Sequence, residues 1–148
     1  MTVLALWKLK ILHLDDTLKM KHVKEELLRQ QLLNFLSDIK QFPRSLMVQE
    51  KKISTLPNIN RKCRLRRRID LLIYTPQFKP LLLIECKAVA ITANAVQQVL
   101  GYNYYIGAPC IGIVNQRECL LQWKEGCNIM YPDWESFPSY ETCMNLYL

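Results

Sequence analysis

The chain has 148 residues, half of them hydrophobic and 22% charged, with 20 Lys and Arg against 13 Asp and Glu. That length suits one ordinary domain and excludes two, and the composition excludes a disordered or fibrous chain. The formal net charge of +7 points to a polyanionic partner, though a solvated basic surface can be equally positive.

Residues 1–21 are expected to form an N-terminal arm. The apolar stretch Thr2 to Leu14 is interrupted by Lys8 and Lys10, so it is too short and too charged to span a bilayer, and it lacks the cleavage pattern of a signal peptide. Met20 stands just before the first strong helical pattern and could serve as an alternative start. Residues 22–148 are expected to form a single domain.

Residues 22–41 read as an amphipathic helix, with Glu25, Leu28, Leu32, Phe35, Leu36 and Ile39 on one face. Arg29 and Lys40 flank that stripe, Leu27 and Leu33 fall outside it, and Pro43 ends the segment. A strand is expected over 45–53, followed by a loop through Pro57, Asn58 and Asn60. The basic run Arg61, Lys62, Arg64, Arg66, Arg67 and Arg68 comes next. We read it as a phosphate-binding segment, the bland alternative being a solvated loop.

Two strands at 69–74 and 81–89 are joined by a tight connection over 76–80, and the second is apolar enough to be covered on both faces. A helix over 94–106 has Thr92 or Asn94 as its cap and Gly107 then Pro109 as its stop. Strands follow at 110–115, 119–123 and 128–130. The order implies an α/β domain with a mixed sheet flanked by helices.

Six cysteines show no C-x-x-C pair and no nearby histidine, so zinc is not expected. Several lie in apolar runs, where a free cysteine packs as a small hydrophobe, and a reduced cytoplasmic setting fits that pattern.

Chemistry concentrates in Asp70 and in Glu85-Cys86-Lys87. Side chains alternate along a strand, so Glu85 and Lys87 point one way and Cys86 the other. An acid and a lysine in the most hydrophobic part of the chain need a partner, because burying unpaired charge is costly. A plain Glu–Lys pair would serve. Asp70, on the neighbouring strand, instead lets two carboxylates converge. With a backbone carbonyl, that of Cys86, they suit a hard cation such as Mg2+, for which Mn2+ would substitute. Gln98 and Tyr102 lie one turn apart on the following helix and share a face. Glu25 is a further acid on the inner face of the first helix, with Glu26 as the alternative.

Arg68-Ile69-Asp70, then Glu85-Cys86-Lys87, then Gln98 to Tyr102 resembles the PD-(D/E)XK nuclease superfamily in its RecB-like variety with the Q-x-x-x-Y motif. More narrowly, these residues with Glu25-Glu26, Arg29-Gln30 and Ala108-Pro109 resemble the N-terminal nuclease domain of type I restriction-enzyme R subunits. The resemblance implies a restriction-endonuclease-like fold with a four-stranded mixed core sheet. It also implies that Asp70 and Glu85 hold the metal, that Lys87 serves the attacking water, and that Glu25 or Glu26 completes the acid set. The partner it implies is DNA, with restriction-modification or repair proteins and a homodimer as further expectations, and no membrane.

The chain has no G-x-x-x-x-G-K-[ST] phosphate loop, so ATP use does not carry over. His13 and His22 lie outside every motif, which argues against a histidine-dependent mechanism. Two functions from different classes fit: an Mg2+-dependent endonuclease, and a non-catalytic nucleic-acid-binding or assembly module that keeps the nuclease fold.

Overall fold

The computed structural model describes residues 17–64, 66–123, 126 and 128–147. In chain order it contains helix α1 (Thr17–Asp38), strands β1 (Met47–Lys52), β2 (Arg68–Tyr74) and β3 (Pro80–Cys86), helix α2 (Ala93–Ile106), strands β4 (Cys110–Val114), β5 (Cys119–Trp123) and β6 (Asn128–Tyr131), and helix α3 (Tyr140–Tyr147). The six strands form one sheet in sequence order. Only β3 and β4 run parallel, because α2 carries the chain back across the sheet between them. The other neighbours are antiparallel. The four-stranded mixed core expected from the sequence is therefore present as β1–β4, extended by β5 and β6.

All seven residues of β3 are buried, as a strand covered on both faces requires. Alternation along the strand sorts its side chains into two cores. Leu82, Ile84 and Cys86 pack with Leu28, Leu32 and Leu36 of α1 and with Phe137 and Cys143. Leu83 packs on the opposite face with Leu72, Val99, Ile106 and Ile113. The molecule is thus three layers, with α1 and α3 on one face of the sheet and α2 on the other.

Several boundaries differ from the sequence expectation. The part of the expected arm at residues 1–16 lies outside the described residues, and the chain is already helical from Thr17. Leu18, Lys19, Met20 and Lys21 are all good helix formers, so nothing stops α1 from extending backwards. At its other end Gln41 adopts a left-handed φ of 61°, and the Phe42 amide closes back on the Leu36 carbonyl at 3.0 Å.

That reversal takes Ile39 off the inner face and leaves it 64% exposed, while Leu33, outside the expected stripe, is buried at 3%. The first strand is shorter than 45–53, because short 3-10 turns take up Arg44–Leu46 and Ile53–Thr55. The central strand ends at Cys86 rather than Val89, and Val89 is exposed.

Helix α2 follows its punctuation closely. The Thr92 hydroxyl caps it by accepting from the Ala95 amide at 3.2 Å, and Gly107 ends it at φ 77°. A side chain at Gly107 would also strike Asn60, whose Nδ2 lies 2.0 Å from the Cβ position. Among the described residues no helix is long and apolar enough to cross a membrane.

Candidate active site

The β2–β3 ladder pairs Leu72 with Leu83 and Leu71 with Ile84. One step further along the same register brings Asp70 beside Glu85, on the face that carries α2. There the backbone ladder gives way to a side chain, and Asp70 Oδ2 accepts the Cys86 amide at 2.8 Å.

Glu85 is only 7% exposed. Its Oε2 is buried and has no hydrogen-bond partner. Loss of water raises the carboxyl of Glu85 to about 9, and the neighbouring charge of Asp70 adds to the shift, with Lys87 opposing it. Burial also raises Asp70, against its bonds to the Cys86 amide and to Glu85. Glu85 thus holds a proton at neutral pH in the protein alone. An orphaned carboxylate oxygen beside a second acid is a chemical fit for a hard cation.

Lys87 lies one residue beyond β3, not inside a longer strand. Its amide bonds the Val114 carbonyl at 2.9 Å, and this keeps its side chain on the Glu85 side. Lys87 Nζ donates to Gln98 Oε1 at 2.9 Å, and Gln98 Nε2 donates to Tyr102 Oη at 2.9 Å. One turn of α2 therefore orients the lysine through a relay of two hydrogen bonds. Glu25 reaches across from α1, where its Oε1 accepts the Ala88 amide at 3.4 Å. Glu26 turns instead to Arg29 and Gln30. Of the two alternatives, Glu25 is the one beside the strand end.

Arg29 was missed as a site element. Expected at the flank of the apolar stripe, it is 3% exposed and bridges Glu26 to Glu50, whose Oε1 lies 2.7 Å from its Nη1. Its charge reaches Asp70 and opposes the effect of burial there. The signal in the sequence was a cation one turn after Glu25, on the helix face that also carries Leu28. What hid it was the partner on β1, 21 residues away in sequence.

Among the described residues no three His, Cys, Asp or Glu side chains form a ready metal cage. Within the basic run, Arg61, Lys62, Arg64, Arg66, Arg67 and Arg68 are all exposed. The segment is tied to the end of α2, where the Arg61 amide bonds the Tyr105 carbonyl at 2.9 Å and the Asn60 amide bonds the Ile106 carbonyl at 3.3 Å. Arg68 turns back to β1, and its Nη1 donates to the Glu50 carbonyl at 3.3 Å.

A mixed sheet with its crossover helix and an acid pair at the end of the central strand defines a restriction-endonuclease-like α/β protein. A family model described as the type I restriction enzyme R protein N terminus matches residues 24–129, well over half of the chain. The chain belongs to that family, which supports a nuclease-like role in a restriction system. No curated protein and no solved structure gives a significant match.

Proposed function

We propose that the chain is an Mg2+-dependent endonuclease that hydrolyses DNA phosphodiester bonds, with Mn2+ able to replace Mg2+. The observation that carries this is the pair of half-buried Asp70 and buried Glu85, with its orphaned oxygen, set beside an oriented lysine. Asp70, Glu85 and the Cys86 carbonyl would hold the cation. When bound, it supplies a Lewis acid for the phosphodiester and lowers the pKa of water.

The chain's own residues do the rest. Glu85 would release its proton to solvent and, with Asp70, would hold the cation. Lys87, held by Gln98 and Tyr102, directs the attacking water and donates to the phosphoryl oxygens as negative charge grows on them. Glu25 braces the strand end through the Ala88 amide. The basic run neutralises flanking phosphates. The buried free thiols Cys86, Cys110, Cys119 and Cys143 suit a reducing cytoplasm.

The test is cleavage of supercoiled, linear and branched DNA with Mg2+ or Mn2+, comparing wild type with Lys87→Ala. Lysine carries the cation's own sign of charge, so its loss leaves metal binding intact, and DNA binding loses only one of many phosphate contacts. Cleavage should fall by roughly 10²- to 10⁴-fold, as for a transition-state contact. Asp70→Ala should lose metal binding as well, read by titration calorimetry.

A non-catalytic binding module is the second reading, which the exposed basic run would serve equally well. It expects no wild-type cleavage with any metal and a modest affinity loss in Lys87→Ala. Equal trace cleavage in wild type and variant would end the catalytic reading.

A further inference from the structure

A groove of about 550 Å³ runs between α2 and the segment leading into β2, lined among others by Arg67, Gln97, Gln98, Gly101, Tyr102 and Tyr104. Its size is that of a small-ligand cleft, about 300–1,000 Å³. Three features say what it takes. The first is position, because Gln98 and Tyr102 belong to both the groove wall and the relay that orients Lys87. The second is a set of aromatic faces within a basic rim. Tyr104 is 58% exposed, stands edge-on to Tyr105 at 5.3 Å, and already carries a planar cation, with the Arg61 guanidinium 4.4 Å from its ring centre. The third is room, since nothing lies within 4 Å of the Cβ position of Gly101.

We propose that this groove seats an unpaired nucleobase of the DNA strand being cut, stacked on Tyr104 in place of the Arg61 guanidinium, which moves with Arg67 onto its adjoining phosphates. The substrate class is then DNA with unpaired nucleotides next to the scissile bond, and a continuous duplex is the poorer ligand. Stacking on an exposed tyrosine accepts any base, so the groove confers strand-state preference without sequence preference. The inference rests on the nuclease reading, and it assigns the substrate of that same site.

The experiment measures binding of a fluorescein-labelled single-stranded oligonucleotide and of the matching blunt duplex to the full chain, by anisotropy in EDTA. A second single strand carries 2-aminopurine, whose fluorescence falls on stacking. Wild type should prefer the single strand and quench 2-aminopurine. Tyr104→Ala should lose single-strand affinity by about fivefold or more, with duplex affinity unchanged, and Tyr104→Trp should restore it. Gly101→Leu, which fills the groove and favours the helix, should act as Tyr104→Ala does without touching the ring. Equal loss for single strand and duplex, or no quench in wild type, would overturn the base seat. A wild type that quenches but never cleaves would leave the seat standing and remove the nuclease reading.

Discussion

Glu85 is held where its charge is disfavoured, inside the sheet and against a second acid. Its folded-state value of about 9 stands above the ordinary 4.5. The stability from this group is therefore fully present below the lower value and is lost as pH rises through the higher one. In EDTA the wild type should become easier to unfold with urea across that window. Glu85→Gln keeps the shape and removes the titration, so its stability should change less with pH and exceed wild type at the alkaline end. Parallel pH profiles for the two proteins would refute this account. On the proposed function a cation must displace the same proton, so Mg2+ affinity should rise with pH over the window in wild type. The ionised acid pair thus costs stability in the protein alone, as perturbed groups at functional sites often do.

At the scale of elements, α2 has two duties: it crosses from β3 to β4, and it aims Lys87. Its C-terminal anchor is Asn103, whose Oδ1 accepts the Ala108 amide at 2.8 Å while its Nδ2 donates to the Ala108 carbonyl at 2.9 Å. Ala108 is fully buried, so water cannot replace those bonds. Asn103→Ala should destabilise the fold by about 2 kcal/mol, read as a lower urea midpoint with an unchanged slope. A variant as stable as wild type would mean that the helix end is held by Gly107 and its packing alone. On the other face, α1 is fastened to β1 through Arg29 and Glu50, and this fastening sets where Glu25 meets the strand end.

The whole molecule carries a net charge of +7, and the basic run lies exposed at the groove, which Arg67 lines. Each phosphate it neutralises releases counterions, so DNA affinity should fall steeply with salt. Changing Arg64, Arg66 and Arg67 to alanine should weaken binding to all sequences and flatten the log–log salt slope by roughly 0.9 per lost contact. Arg68 is left intact because it is bonded to β1. A triple variant with the wild-type slope would rule the run out as a phosphate contact.

Sequence alone determined the features that depend on neighbours in the chain. The apolar run of β3 could only be a covered strand, Thr92 and Gly107 could be read as the limits of α2, and alternation put Glu85 and Lys87 on one side. The spacing of Gln98 and Tyr102 likewise placed them on one helix face before any partner was known.

Tertiary structure decided what depends on register and on distant partners. It set Asp70 beside Glu85, because a two-residue period shows which side a group faces but not which residue lies opposite. It ended β3 at Cys86, where the side chain of Asp70 takes over from the ladder. It chose Glu25 over Glu26, and it buried Arg29, whose partner on β1 no helical pattern reveals. It also built the groove, since the basic run and α2 meet only when Asn60 and Arg61 bond the last turn of that helix.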